Sequence, residues 1–416
     1  MTFKASLKKA FIETKGEFFI TRLLCAFFEY YFQSLKTQKK AFLILKILSI
    51  FKQDISLFYK AKIEYFKGDF HKALFLLESL KPNKNPDICY LKARVLSLLG
   101  QKEQAFLLLE QSLKSFSRLK GFIELVNLST NKEEFALVKK LFDENKDNFA
   151  HFQNNKKEFL KWLAQAAINA KEYQFAKQFL KESLFLFLKN PRKKFQAKQI
   201  MRTKDAKEAL EDLAELLALN KITMFLISGV FLGCVRSKSF IEHDYDIDVG
   251  VFGVSLESLH EIFTKSPCFV LKNPHYQGGV QLYHLNGIYI DVFLHFEEHG
   301  FIYHDGDFVR WKNTAFELCE YEFLGKKYLA PKDYDLYLRE NYGVTYMQSK
   351  NSKTYYTFLD TPNMQILNKE EFIICLYESL FKEFALFNET RILDKLKELN
   401  EKSFVTEYLD FKKGCV

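Results

Sequence analysis

The chain has 416 residues, 48% of them hydrophobic and 16% aromatic, a composition that supports buried cores and excludes a disordered polymer. Its formal net charge of +9 is uneven: residues 1–200 carry 37 Lys and Arg against 19 Asp and Glu, and residues 201–416 carry 24 against 33. No apolar run reaches the roughly 18 residues of a membrane span, and Glu13, Lys15, Glu17, Arg22 and Glu29 interrupt the start before a signal-peptide core can form. The cytoplasm is the expected location, with peripheral attachment to the inner face of the membrane left open. Seven cysteines, widely spaced and without a Cys-x-x-Cys pair, suggest neither a disulfide framework nor a zinc site. A basic half that meets an anionic partner, and an acidic half that holds cations, is one reading of the charge asymmetry. The other is lysine used simply as a solubilising residue.

In chain order, residues 1 to about 195 contain only Pro82, Pro86 and Pro191, and their apolar residues recur at three- and four-residue spacing, which predicts helices. Within them Ala61 precedes Ala73, Ala93 precedes Ala105 and Ala164 precedes Ala176, each by twelve residues, and the first two units are 32 residues apart. Small residues at this spacing let two antiparallel helices approach closely, and Gly68 and Gly100 are placed to end the first helix of each pair. The pattern is similar to the tetratricopeptide repeat. A weaker unit lies around Asn131 and Ala136. The alternative is a helical bundle without true repeats.

Proline and a basic run at Lys189-Asn190-Pro191-Arg192-Lys193-Lys194 mark a linker. An amphipathic helix over about Lys204–Leu219 follows, then the apolar run Ile222–Ile227, short enough for a buried strand. Further strands are predicted at Val280–His284 and Ile288–Phe293 around the hairpin signal Asn286-Gly287; beyond Pro362 the pattern is helical. The expected fold class is multidomain, α followed by α/β: a helical repeat domain over residues 1–195, then a mixed-sheet domain over 196–416 with a helical tail.

Chemistry is concentrated in Asp246-Ile247-Asp248-Val249-Gly250-Val251-Phe252. As a strand this run puts Asp246 and Asp248 on one face, about 6.6 Å apart, where two enclosed carboxylates repel by about 2.5 kcal/mol. A hard divalent cation would relieve that repulsion; so would an exposed edge. Asp291, in the β-like run Ile288–Phe293, offers a third acid able to bind a metal or to accept a proton from an attacking hydroxyl. Upstream, Ser228-Gly229 forms a strand-to-helix turn whose free amides suit a phosphate, and Arg236 carries charge that could neutralise one. His243 and His284 read as polar contacts. His295, His299 and His304 read as loop residues.

The run from Gly229-Val230-Phe231-Leu232-Gly233 through Arg236 and Phe240-Ile241 to Asp244-Tyr245-Asp246-Ile247-Asp248 resembles the signature of LicD and fukutin proteins. Ile290-Asp291-Val292-Phe293, Phe323-Leu324-Gly325 and Tyr337–Gly343 are similar to the downstream motifs of that family, in the same order. The resemblance implies a nucleotidyltransferase-like fold and transfer of an alcohol phosphate, such as phosphocholine or ribitol phosphate, from a CDP-activated donor to a glycan or lipid-linked glycan hydroxyl. It implies Mg²⁺ (or Mn²⁺) on Asp246 and Asp248, Asp291 as third ligand or base, and Gly229 against the phosphates. Val230 stands where the family has threonine; Ser228 could supply that hydroxyl. Asp244 is either a reserve ligand or a supporting group. The basic helical region would then meet the acceptor, a membrane surface or a protein partner, and no nucleic acid is expected. Two rival readings are nucleotidyl transfer to a small molecule or protein, and a repeat-based scaffold without activity.

Overall fold

The structure is a computed structural model and describes residues 3–33, 37–80, 85–116, 118–149, 152–189, 201–241, 244–272, 276–348, 356–381 and 386–414. Two compact units are each assembled from separate stretches: Met1–Leu128, Met201–Met224 and Asp246–Val292 in the first, Ser129–Ile200, Phe225–Tyr245 and Phe293–Val416 in the second. The expected boundary at 195/196 falls outside the described residues, as do Arg192, Lys193 and Lys194 of the basic linker.

The first unit begins with α1 (Phe3–Glu13), α2 (Phe19–Tyr31), α3 (Gln38–Phe51), α4 (Gln53–Phe66), α5 (Phe70–Glu78), α6 (Pro86–Leu98), α7 (Lys102–Phe116) and α8 (Leu119–Leu128). The second unit takes up the chain with α9 (Lys132–Asn145), α10 (Phe152–Asn169) and α11 (Tyr173–Lys189). The N-terminal region is thus a series of helices, and the paired alanines explain its hairpins. Ala61 and Ala73, Ala93 and Ala105, and Ala164 and Ala176 are all buried, on α4/α5, α6/α7 and α10/α11. The same cap ends the first helix of each pair: the amides of Asp69, Gln101 and Glu172 donate to the carbonyls of Glu64, Leu96 and Ala167 at 3.0, 2.8 and 2.8 Å. That cap needs a left-handed residue, supplied by Gly68 and Gly100 and, in the third pair, by Lys171. Asp69 starts α5 by accepting from the Lys72 amide at 3.0 Å, and Pro86 opens α6 behind the Asn85 cap. Ala136 is exposed on α9 and makes no such helix contact.

From residue 203 onward come α12 (Thr203–Leu219), β1 (Met224–Leu226), α13 (Ser228–Ser237), β2 (Asp246–Phe252), α14 (Leu256–Thr264), β3 (Phe269–Leu271), β4 (Gly279–His284) and β5 (Tyr289–Glu298). Then follow β6 (Phe301–Asp305), β7 (Val309–Thr314), β8 (Leu318–Phe323), β9 (Lys326–Pro331), α15 (Tyr334–Tyr342), α16 (Thr357–Asp360), β10 (Met364–Ile366), α17 (Lys369–Ser379), α18 (Leu386–Glu398) and α19 (Lys402–Lys413). The sheet is mixed. In the first unit β4 lies between β3 and β5, and β5 neighbours β2. In the second, β10-β7-β6-β5 run antiparallel, while β1 pairs parallel with β9 and β9 antiparallel with β8. Beyond Pro362, where the sequence pattern predicts helix throughout, the short strand β10 comes first, added to the sheet against β7, and the predicted helical tail α17–α19 follows it.

One prediction needs correcting here. His295 and His304 are not loop residues. They face each other across β5 and β6, buried, with ring centroids 4.5 Å apart. Burial keeps both neutral, drawing His295 down to about 4 and His304 well below the usual histidine range. His299 does occupy a turn, with φ of 51°, and His243 lies outside the described residues. Among the described residues, no helix is long and apolar enough to cross a membrane.

Candidate active site

The alternation expected of Asp246–Phe252 is the alternation observed. Ile247, Val249 and Val251 are fully buried, whereas Asp246 and Asp248 face the other way and are partly exposed. Asp291 sits on the neighbouring strand β5 between the fully buried Ile290 and Val292 and is itself only 9% exposed. One carboxylate oxygen from each of Asp246, Asp248 and Asp291 lies within 4.8 Å of the others. At that separation two full charges repel by roughly 3 kcal/mol even with substantial screening.

The surroundings favour a proton on one of the three acids. Burial, reinforced by the charge of Asp246, pushes the Asp291 carboxyl up to about 7. The Tyr289 hydroxyl donates to Asp291 Oδ1 at 2.8 Å, and together with Lys272 and Gln281 it pulls in the opposite direction. Without a cation, Asp291 therefore exchanges a proton near neutrality. A divalent ion would take over the role of that proton, and three carboxylates with no soft or nitrogen donor suit a hard ion such as Mg²⁺ or Mn²⁺.

Tyr289, Gln281 and Lys272 are functional neighbours that the motif does not reveal. The hairpin explains two of them. His284 N–H donates to the Ile288 carbonyl at 2.8 Å, closing a three-residue loop, Leu285-Asn286-Gly287, with Gly287 at φ 92°, in place of the two-residue turn expected. Counting back from that bond sets Tyr283 opposite Tyr289 and Gln281 opposite Asp291. The Tyr283 and Tyr289 rings lie 5.5 Å apart, and Lys272 Nζ is 4.3 Å from the centroid of Tyr289. Tyr289 shares a face with Asp291 through the two-residue period, the one signal in the sequence that could have found it.

Ser228, Gly229 and Arg236 belong to the second unit. The helix starts two residues earlier than predicted, with Ser228 itself at a positive φ of 49°. The Ser228 amide donates to the Tyr337 hydroxyl at 3.4 Å. A Cβ on Gly229 would sit 2.4 Å from Asp244 Oδ2, so glycine here admits a carboxylate against the first turn of α13, where a helix start favours an anion. Arg236 occupies the last turn of α13. Eight residues of helix put it about 12 Å from Ser228 along the axis, so the turn and the arginine do not converge on one phosphate. Gly233 has a structural reason of its own: a Cβ would lie 2.4 Å from the Ser239 carbonyl oxygen, a backbone atom that cannot swing aside. Val230 is buried, so the position that is threonine in the family here packs into the core.

A second group, Asp212, Cys268 and His284, also brings donor atoms within 4.8 Å. Its hydrogen bonds describe a structural contact. The Asn286 amide donates to His284 Nδ1 at 3.3 Å, which leaves the ring proton on Nε2, 3.1 Å from Asp212 Oδ2. Both ring nitrogens are thus engaged, and burial pushes the Cys268 thiol up to about 12, away from the thiolate a metal needs.

Three acids are thus gathered on adjacent strands of a mixed sheet. Residues 221–333 match the family model described as LicD/FKTN/FKRP, nucleotidyltransferase domain, and this stretch of the chain carries that domain. The match includes Ser228, Gly229, Arg236 and all three acids, and it excludes α1–α12. Comparison with curated proteins gives no match.

Proposed function

We propose that the chain transfers an alcohol phosphate, such as phosphocholine or ribitol phosphate, from a CDP-activated donor to a hydroxyl of a cell-surface glycan. The observation that carries this reading is the cluster of Asp246, Asp248 and Asp291, with Asp291 poised near neutrality, inside the segment that matches the family. Asp246 and Asp248 hold the divalent cation, which supplies charge neutralisation for the donor's phosphates. Asp291 receives the acceptor's proton. The acceptor oxygen forms its bond to the outer phosphorus of the donor, the bond from that phosphorus to the bridging oxygen breaks, and CMP leaves. Tyr289 keeps Asp291 ionised and oriented while this happens. Ser228 and Gly229 at one end of α13 and Arg236 at the other are proposed as separate phosphate-facing groups, and Asp244 must yield before an anion reaches the helix start.

The test is turnover of CDP-choline, CDP-ribitol and CDP-glycerol with Mg²⁺ or Mn²⁺ and a glycan acceptor. Metal-dependent release of CMP is expected. The family description itself favours one second reading, nucleotidyl transfer, in which pyrophosphate is released from a nucleoside triphosphate instead. Absence of either product, together with absence of cation binding, would leave the scaffold reading standing.

A further inference from the structure

We infer that the outer face of α3, together with the turn joining α1 to α2, is a docking surface for an anionic lipid bilayer. The inference does not rest on the transferase reading, because its test reads binding and not turnover.

Helix α3, Gln38–Phe51, is apolar on two sides. Ala41, Leu45 and Leu48 point into the helical core and are buried. Leu43, Ile50 and Phe51 point outward and are 61%, 75% and 74% exposed, and Phe18, Phe19 and Ile20 at the neighbouring turn are 77%, 65% and 72% exposed. A helix that is hydrophobic all round is normally covered on every side. The two groups are adjacent: Lys52, just beyond α3, pairs with Glu17 at 2.9 Å and lies 5.4 Å from the Phe18 ring centroid. Side chains of this size at these exposures present on the order of 700 Å² of apolar surface, more than an uncommitted surface ordinarily shows.

Charge selects the occupant. Helix α3 contains no Asp or Glu, and its exposed positions include Lys39, Lys40 and Lys46, with Lys15 exposed on the turn. Glu17 is paired with Lys52, and Asp54, exposed in the first turn of α4, is one acid set against the four lysines. Apolar side chains interleaved with an excess of exposed lysines fit the boundary of an anionic bilayer, where the rings enter the acyl region and the ammonium groups meet lipid phosphates. A second copy of the same face would set lysine against lysine, which opposes self-association.

The full chain is mixed with vesicles of phosphatidylcholine containing phosphatidylglycerol, and with vesicles of phosphatidylcholine alone, and bound protein is measured by sedimentation. Binding to the anionic vesicles is expected, weakened by salt and weak on the neutral ones. The pair Ile50→Glu with Phe51→Glu, and separately Lys39→Glu with Lys40→Glu and Lys46→Glu, should each lower it at least about tenfold, with circular dichroism unchanged because every altered side chain is on the surface. In Phe51→Trp the indole emission should shift to shorter wavelength when anionic vesicles are added. Failure of the unaltered protein to bind would overturn the proposal. So would full binding by the Ile50→Glu, Phe51→Glu pair, or equal binding to neutral vesicles. Self-association without vesicles that the same pair abolishes would assign the face to a second copy instead.

Discussion

Two charge clusters in the first unit are built on opposite plans. In the helical region Glu29, 3% exposed, is held by Lys9 at 2.8 Å and by Lys62. Burial alone would push its carboxyl up, but the two ammonium groups outweigh burial and draw it down to about 2. On the sheet, burial and the charge of Asp246 outweigh Tyr289, Lys272 and Gln281 and push Asp291 up to about 7. In the first cluster the fold itself supplies the charges opposite Glu29. In the second the balance falls to a proton or, under the proposed function, to a metal ion, and this difference is what a structural group and a site would be expected to show.

The sharpest way to break the comparison is to remove one charge from each cluster. Asp248→Asn should lower metal-dependent turnover on the order of a thousandfold, while the metal-free protein melts no lower than the parent, since a repulsion has been relieved. If activity survives, the acids are not the site. Glu29→Gln should do the reverse. It removes the carboxylate that pairs with Lys62, so urea titration should show a loss of about 3 kcal/mol, with turnover per folded molecule unchanged. A neutral result would mean that water satisfies Lys62.

Stability against pH should show opposite signs at the two places. The folded pKa of Glu29 lies below its ordinary 4.5, so its contribution is present above that value and disappears as pH falls toward about 2. Asp291 lies above its ordinary 3.8. Its contribution is full below that value and is lost as pH rises through about 7. Between about pH 4 and pH 8, without divalent ions, Asp291→Asn should therefore gain in melting temperature relative to the parent, and added Mg²⁺ should close the gap by stabilising the parent alone. Parallel curves for the two proteins would show that Asp291 does not titrate in this range.

How much of this was legible in the sequence depends on whether a feature is local. The β2 face could be read because Ile247, Val249 and Val251 alternate with Asp246 and Asp248, and the hairpins of the helical region could be read because Ala61, Ala73, Ala93 and Ala105 keep their spacing. The His295–His304 pair could not, because Phe296-Glu297-Glu298 ends the apolar signal before β5 itself ends, and pairing across strands leaves no mark in one segment. The approach of Asp244 to Gly229 is set by how the chain returns along α13, so glycine there reads as a free turn until the carboxylate is seen. Likewise, the periodicity of α3 shows apolar residues on both sides without telling which side the fold covers.

The smallest expected effect separates positioning from ligation at the site. Tyr289→Phe removes only the hydroxyl that donates to Asp291 at 2.8 Å, keeping the ring that packs against Tyr283. That hydrogen bond favours the ionised carboxyl, so its loss should move the Asp291 titration to higher pH. The acidic limb of the turnover profile should follow in the same direction, with the plateau reached at high pH lowered only about threefold. Glu29 is unaffected by the change, so acid stability should stay as it was. A drop in activity that is equal at every pH would mean that Tyr289 holds the geometry of the cluster without tuning its proton, and the contrast between the two clusters would then rest on Asp246 and burial alone.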